Sequence, residues 1–304
     1  MVQYTPARSS SSVLYQRSSD LTLQSNDLAL VRLFMALQLG AGLALIISTA
    51  TMCISFRVKR HPTWISFCVS WIISCLSYTL LLISGYETTP DPPFSLCLCQ
   101  SVLIYGVPVL TSFATLALVV HLHFSMSALL HEDQESRTIH VSWLLLCPYV
   151  LFAIVIVEAL ELGLAQPELI IRGIFYCRSD AGTQGKVSSL LVALAAVVGM
   201  PCEIYTAVMV YRQWPKFRYA ENPQKSSLAF LLRVACFTVA AVVAFCVSML
   251  FTSKSTISSH PESVAGNILL ALVPVAAFLT AGIGMDIVRS WMFWRWSSPV
   301  TFSS

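Results

Sequence analysis

Four carboxyl groups lie within long apolar runs of this 304-residue chain: Glu158 and Glu161 in "VIVEALELG", Glu203 just after "GMP", and Asp286 in "GIGMDIV". An ionised acid at the centre of a bilayer costs about 2.5–3.5 kcal/mol, so acids in such runs must point inward, pair, or stay protonated. Each is therefore a candidate functional group. Glu158 and Glu161, three residues apart, share one helix face. A second polar set opens the run "SLCLCQSVLIYGVPVLTSFATLALVV", where Gln100, Ser101, Thr111, Ser112 and Thr115 fall along one stripe at about 100° per residue. A polar stripe on a membrane helix faces other helices or a wet cavity. Gln100, Tyr105, Glu158 and Glu203 form the candidate ligand-binding set.

That set can recognise a ligand by hydrogen bonding and charge, but it is not a covalent catalyst. The chain has no H-E-x-x-H, no G-x-S-x-G and no glycine-rich phosphate loop. His121 and His123, two apart and so about 200° around a helix, cannot share a metal, and with His131 and His140 they make no zinc spacing. The last apolar run contains no lysine, which excludes a retinal Schiff base there. No enzyme activity, metal or cofactor is expected.

The apolar runs that must position these groups dominate the composition. The chain is 56% hydrophobic and 11% charged, with a mean hydropathy of +0.74, too few ionic side chains to cover one soluble domain. Seven blocks are long enough to cross a hydrocarbon core of about 30 Å: roughly Leu33 to Phe56, Thr63 to Ile83, Leu96 to Phe124, Val141 to Gly163, Val187 to Tyr211, Leu228 to Phe251 and Val264 to Asp286. They lack the alternation of barrel strands, so the expected fold is all-α, a seven-transmembrane-helix bundle over residues 29–290. The serine-rich residues 1–28 read as a disordered tail without the apolar core of a signal peptide, and 291–304 as a short cytosolic tail combining Trp with Arg. Pro108, Pro148, Pro201 and Pro274 interrupt four of the helices and can make room for a cavity.

Lys and Arg divide unevenly between the two sides. Arg8, Arg17, Arg32, Arg172, Arg178, Lys186 and Lys254 fall on one side. On the other are Arg57, Lys59, Arg60, Arg137, Arg212, Lys216, Arg218, Lys225, Arg233, Arg289 and Arg295. The positive-inside rule places the N-terminus outside and the C-terminus in the cytosol. Arg57, Lys59, Arg60, Arg212, Lys216, Arg218 and Arg233 then form an inner basic surface suited to anionic lipid headgroups or to an acidic signalling partner. The formal net charge of +3 gives no reason to expect nucleic acid.

Of ten cysteines, Cys97, Cys99 and Cys177 fall at the outer, oxidising face. A disulfide from the start of the third span to the loop holding Cys177 is expected, with Cys97, nearer the helix end, ahead of Cys99 as the partner.

The segments "RHPTWISFCVSWIISCLSYTLLLISG", "PPFSLCLCQSVLIYGVPVLTSFATLALVV", "GIFYCRSD" and "GIGMDIVRSWMFW" resemble the orphan seven-helix receptor-like proteins of mushroom-forming fungi, over residues 30 to 296. The resemblance implies a G-protein-coupled-receptor-like bundle in the plasma membrane, a ligand site between the outer helix halves, and a heterotrimeric G protein as inner partner. By position, Cys97 matches the family's helix-three cysteine and Cys177 its loop cysteine. Unlike the larger animal class, the chain has "HLHFSMS" where an acidic-Arg-Tyr motif would stand, and lacks Cys-Trp-x-Pro and Asn-Pro-x-x-Tyr.

The expected function is sensing an extracellular small molecule, lipid or peptide and signalling to a G protein. A small transporter is the alternative, though such a chain should show matching helix breakers in two halves, and it shows no convincing repeat. An intramembrane hydrolase would need a nucleophile or metal set that these residues do not assemble.

Overall fold

The computed structural model describes residues 10–54, 61–86, 92–130, 141–173, 175–179, 182–212, 234–240, 242–243, 246 and 261–281, with side chains from residue 28 except at 129–130, 141, 182–183, 261–265 and 281. Among them the chain is helical apart from one short hairpin. The helices are α1 (Ser10–Ile54), α2 (Pro62–Tyr78, extended by Leu80–Ile83), α3 (Phe94–Leu130), α4 (Val141–Ala165), α5 (Gly182–Arg212), α6 (residues 234–240) and α7 (Pro261–Ala281). Strands β1 (Ile170–Arg172) and β2 (Cys177–Ser179) pair antiparallel, with Ile171 opposite Arg178.

Leu28–Ile54, Phe94–Ala128, Ser142–Ala165 and Gln184–Arg212 are four helices long and apolar enough to cross a membrane. Pro62–Tyr78 and Gly266–Thr280 are shorter apolar helices. The outer faces carry what lipid tolerates and water does not: Leu43, Ile47, Val157, Leu164, Leu190 and Val197 are all exposed. These features mark a membrane protein. The sixth expected span lies mostly outside the described residues.

α1 starts at Ser10, inside the stretch read from sequence as a disordered tail. Between Pro6 and Gly40 the chain contains neither proline nor glycine, so nothing in the backbone stops the helix of the first span from propagating outward. α2 begins with Pro62 at its first turn, where the missing N–H would have no helical partner anyway. It ends after Ile83 on Gly85, whose φ of +76° lets Gly85 N–H reach Leu82 O and Tyr86 N–H reach Leu81 O, a glycine-closed helix end.

α3 is the central post. It packs against α2, α4 and α5 and against both strands, while α1 joins α2 and α7. Tight approaches use glycine. A Cβ at Gly106 would sit 2.9 Å from the Phe152 ring, and one at Gly163 2.5 Å from Leu98, so these two positions set how closely α3 and α4 meet. Lower in the bundle, Leu45, Trp71, Leu118 and Phe237 share one buried cluster; the Trp71 and Phe237 rings meet edge to face at 5.8 Å.

Candidate functional site

The β1–β2 hairpin lies across one end of the bundle and is fastened at several points. Cys97 and Cys177 are bonded, with Cα atoms 5.3 Å apart, and Cys99 is free and exposed. Of the two pairings open from sequence, the one with Cys97 is formed. At about 100° per residue the two cysteines of "CLC" point to opposite sides of α3, so only one can face the hairpin. Gln100, one turn further along, is fully buried. Its Oε1 accepts from the Cys177 amide at 3.0 Å, and its Nε2 donates to Ser77 O at 3.2 Å and Tyr78 O at 3.4 Å. The Tyr105 hydroxyl donates to Ser179 O at 2.8 Å, while Ser188 Oγ donates to the Tyr105 carbonyl. Arg172 donates to Tyr86 O at 3.3 Å. The hairpin's turn is closed by Gly173 N–H on Tyr176 O, and a Cβ at Gly173 would meet that carbonyl at 2.8 Å.

Two turn residues plug the space beneath. Phe175 packs on Phe34 at 4.9 Å, Tyr176 on Tyr78 at 5.4 Å, and Phe34 and Tyr78 meet edge to face at 5.9 Å. Tyr176 also donates to Asn267 Oδ1 at 2.6 Å, tying the hairpin to α7. Burial pushes the Tyr176 hydroxyl up to about 12, against the pull of Arg178, so it remains a neutral donor.

Below this plug is a cavity of about 320 Å³ walled by α1, α2, α3, α5, α6 and α7, at the small end of ligand-pocket sizes. Gln38, Trp71, Thr111, Ala195, Thr238 and Pro274 represent its walls. Pro108 also lines it, so two of the four helix-breaking prolines border the space that kinked helices can open. Among the described residues no Asp, Glu, Lys, Arg or His lines it. Three buried wall atoms make no hydrogen bond: Gln38 Oε1, Trp71 Nε1 and Thr238 Oγ1. Each unmade bond costs about 1–3 kcal/mol, so the polar positions are expensive to keep empty.

The polar stripe of α3 divides in two. Its outer part, Gln100 and Ser101, is buried against neighbouring chain, whereas Thr111, Ser112 and Thr115 line the cavity. Thus none of the four candidate ligand residues borders the cavity. Gln100 and Tyr105 hold the hairpin. Glu158 is half-buried and Glu161 exposed, both on α4, which is not part of the wall. Glu203 is buried on α5 beside Thr238, and its Oε1 makes no hydrogen bond. One turn further, Thr206 donates to Cys202 O at 2.7 Å, which leaves His123 Nδ1 as donor to Thr206 Oγ1 at 2.8 Å and links α3 to α5. Sequence reasoning missed Gln38, Trp71 and Thr238. Their signal was a lone amide, indole or hydroxyl within an apolar run, outweighed there by the carboxyl groups.

At the far end of α3, the His61 and His121 rings stack at 3.6 Å. Burial lowers the His61 pKa from its ordinary 6.5. No group of three or more His, Cys, Asp or Glu among the described residues is placed to hold a metal. Arg212 is exposed in the last turn of α5, where a cation suits the helix dipole. Arg57, Lys59, Arg60, Lys216, Arg218, Arg233, Asp286, His131 and His140 lie outside the described residues.

No known family model matches the sequence, and no curated protein matches it.

Proposed function

We propose that the chain is a seven-helix receptor-like protein of the plasma membrane, with its N-terminus outside. It senses a small extracellular or membrane-borne ligand and signals to a cytosolic G protein. The observation that carries this reading is a central cavity with unsatisfied polar walls beneath a hairpin fastened by the Cys97–Cys177 bond. A ligand that bonds those walls favours whichever helix arrangement presents them best, and so shifts a pre-existing equilibrium. Pro108 and Pro274 give two walls a pivot. Beneath the cavity the His123–Thr206 bond and the buried Met126–Val210 contact join α3 to α5, which suits sensing better than passage. The inner basic residues, Arg212 among them, supply the surface for the partner or for anionic lipid.

The test is guanine-nucleotide exchange on purified heterotrimeric G protein, with the receptor in nanodiscs and a ligand panel. Ligand-dependent exchange lost on filling the cavity supports the reading. Exchange that never depends on this protein, or saturable substrate uptake into proteoliposomes, defeats it.

A further inference from the structure

We infer that the cavity takes a neutral, largely apolar alcohol that enters from the lipid side. This deepens the receptor reading and rests on the cavity being its sensing site. No carboxylate, ammonium, guanidinium or imidazole among the described wall residues can pair with a charged ligand, and an ion placed there would lose its hydration without compensation. The unsatisfied atoms then define the polar part. Gln38 Oε1 needs a donor, Trp71 Nε1–H needs an acceptor, and the Thr238 hydroxyl can be either. A hydroxyl is both donor and acceptor, so one class of group offers what Gln38 and Trp71 each lack. A hydrocarbon answers none, and an ether or ester leaves Gln38 unpaired. The remaining wall, with Val107, Val192, Ala195, Leu270 and Val273, demands an alkyl or isoprenoid-like body.

The route follows from where the cavity meets the surface. The plug of Phe175 and Tyr176 covers the hairpin side. Val197 lines the cavity and is nevertheless 69% exposed, and Cys246 likewise lines it and is exposed, so the cavity reaches the outer surface of the bundle there. A ligand already dissolved in lipid arrives at that opening without crossing the hairpin.

Tritiated 1-decanol binding to the full-length protein in nanodiscs, with empty discs subtracted, tests this, with decane, decanoate and decylammonium as competitors. Saturable binding is expected, abolished by Ala195→Phe and weakened about tenfold by Thr238→Val, a near-isosteric change that spares packing. Decane and the two ions should compete at least tenfold less well than unlabelled 1-decanol. Ligand specificity is wrong here if an ion competes as well as the alcohol, and the receptor reading then survives. Decanol binding that is unsaturable, or unaffected by both variants, removes the alcohol site altogether, whereas G-protein exchange judges the receptor reading separately.

Discussion

Gln100 accepts a hydrogen bond from the backbone of Cys177 at 3.0 Å, while the side chain of that same cysteine is bonded to Cys97, one turn earlier on the helix that carries Gln100. Helix and hairpin are thus joined twice at one point, covalently and by a buried amide. The arrangement makes Gln100 an anchor for the hairpin and not a group offered to ligand.

Replacing Gln100 with Leu should therefore act on stability. The Cys177 amide would be left without its buried acceptor, at about 1–3 kcal/mol. A lower Tm in detergent, with the Cys97–Cys177 peptide still recovered by non-reducing mass spectrometry, is the expected result. An unchanged Tm would show that the bond contributes nothing.

The cysteines at the start of α3 should differ sharply. Cys97→Ser or Cys177→Ser should cost about 2–5 kcal/mol, since loop-closure entropy over a separation of 80 residues gives about 4.5 kcal/mol as an upper figure. Cys99→Ser, at a free and exposed thiol, should stay within about 0.5 kcal/mol. Thermal unfolding of the three variants ranks them.

Two glycines on the long helices should respond in opposite ways. Gly106→Ala pushes a methyl group against the Phe152 ring and Ile156 and should cost about 1–3 kcal/mol. Gly40→Ala meets nothing within 4 Å and should stabilise by about 0.5–1 kcal/mol through helix propensity. Equal effects on Tm would refute the close α3–α4 approach.

Acidification should loosen the contact between α2 and α3. The folded state holds His61 below its ordinary 6.5, so below that pH the unfolded chain binds more protons than the folded one. The His61 contribution is unchanged above about pH 6.5 and turns destabilising as the pH falls past it, with the His121 ring stacked at 3.6 Å on the group that charges. Wild type should lose more Tm between pH 7.5 and 5.5 than His61→Gln. Parallel curves would assign the loss to other groups.

Much of this architecture was legible in the residues because it is local. A run such as "WLLLCPYVLFAIVIVEALELGLA" must be helical in lipid whatever surrounds it, since its own backbone is the only available partner. The Cys97–Cys177 bond could be narrowed to two choices from which cysteines reach the outer face, and the tilt of "CLC" on the helix decided between them. Charge was a poorer guide. Glu158 and Gln100 stood out because polarity in an apolar run is conspicuous, yet one is half-buried on a helix outside the wall and the other holds a hairpin.

The sequence by itself determined that the chain forms apolar helices, though not how far the first extends, because hydropathy and backbone hydrogen bonding act within a few turns. Only the tertiary structure decided that Gln38, Trp71 and Thr238, some 200 positions apart at the extremes, border one cavity with their polar atoms unpaired. A cavity is the space left between helices, so it depends on how six of them meet and is written in no single one.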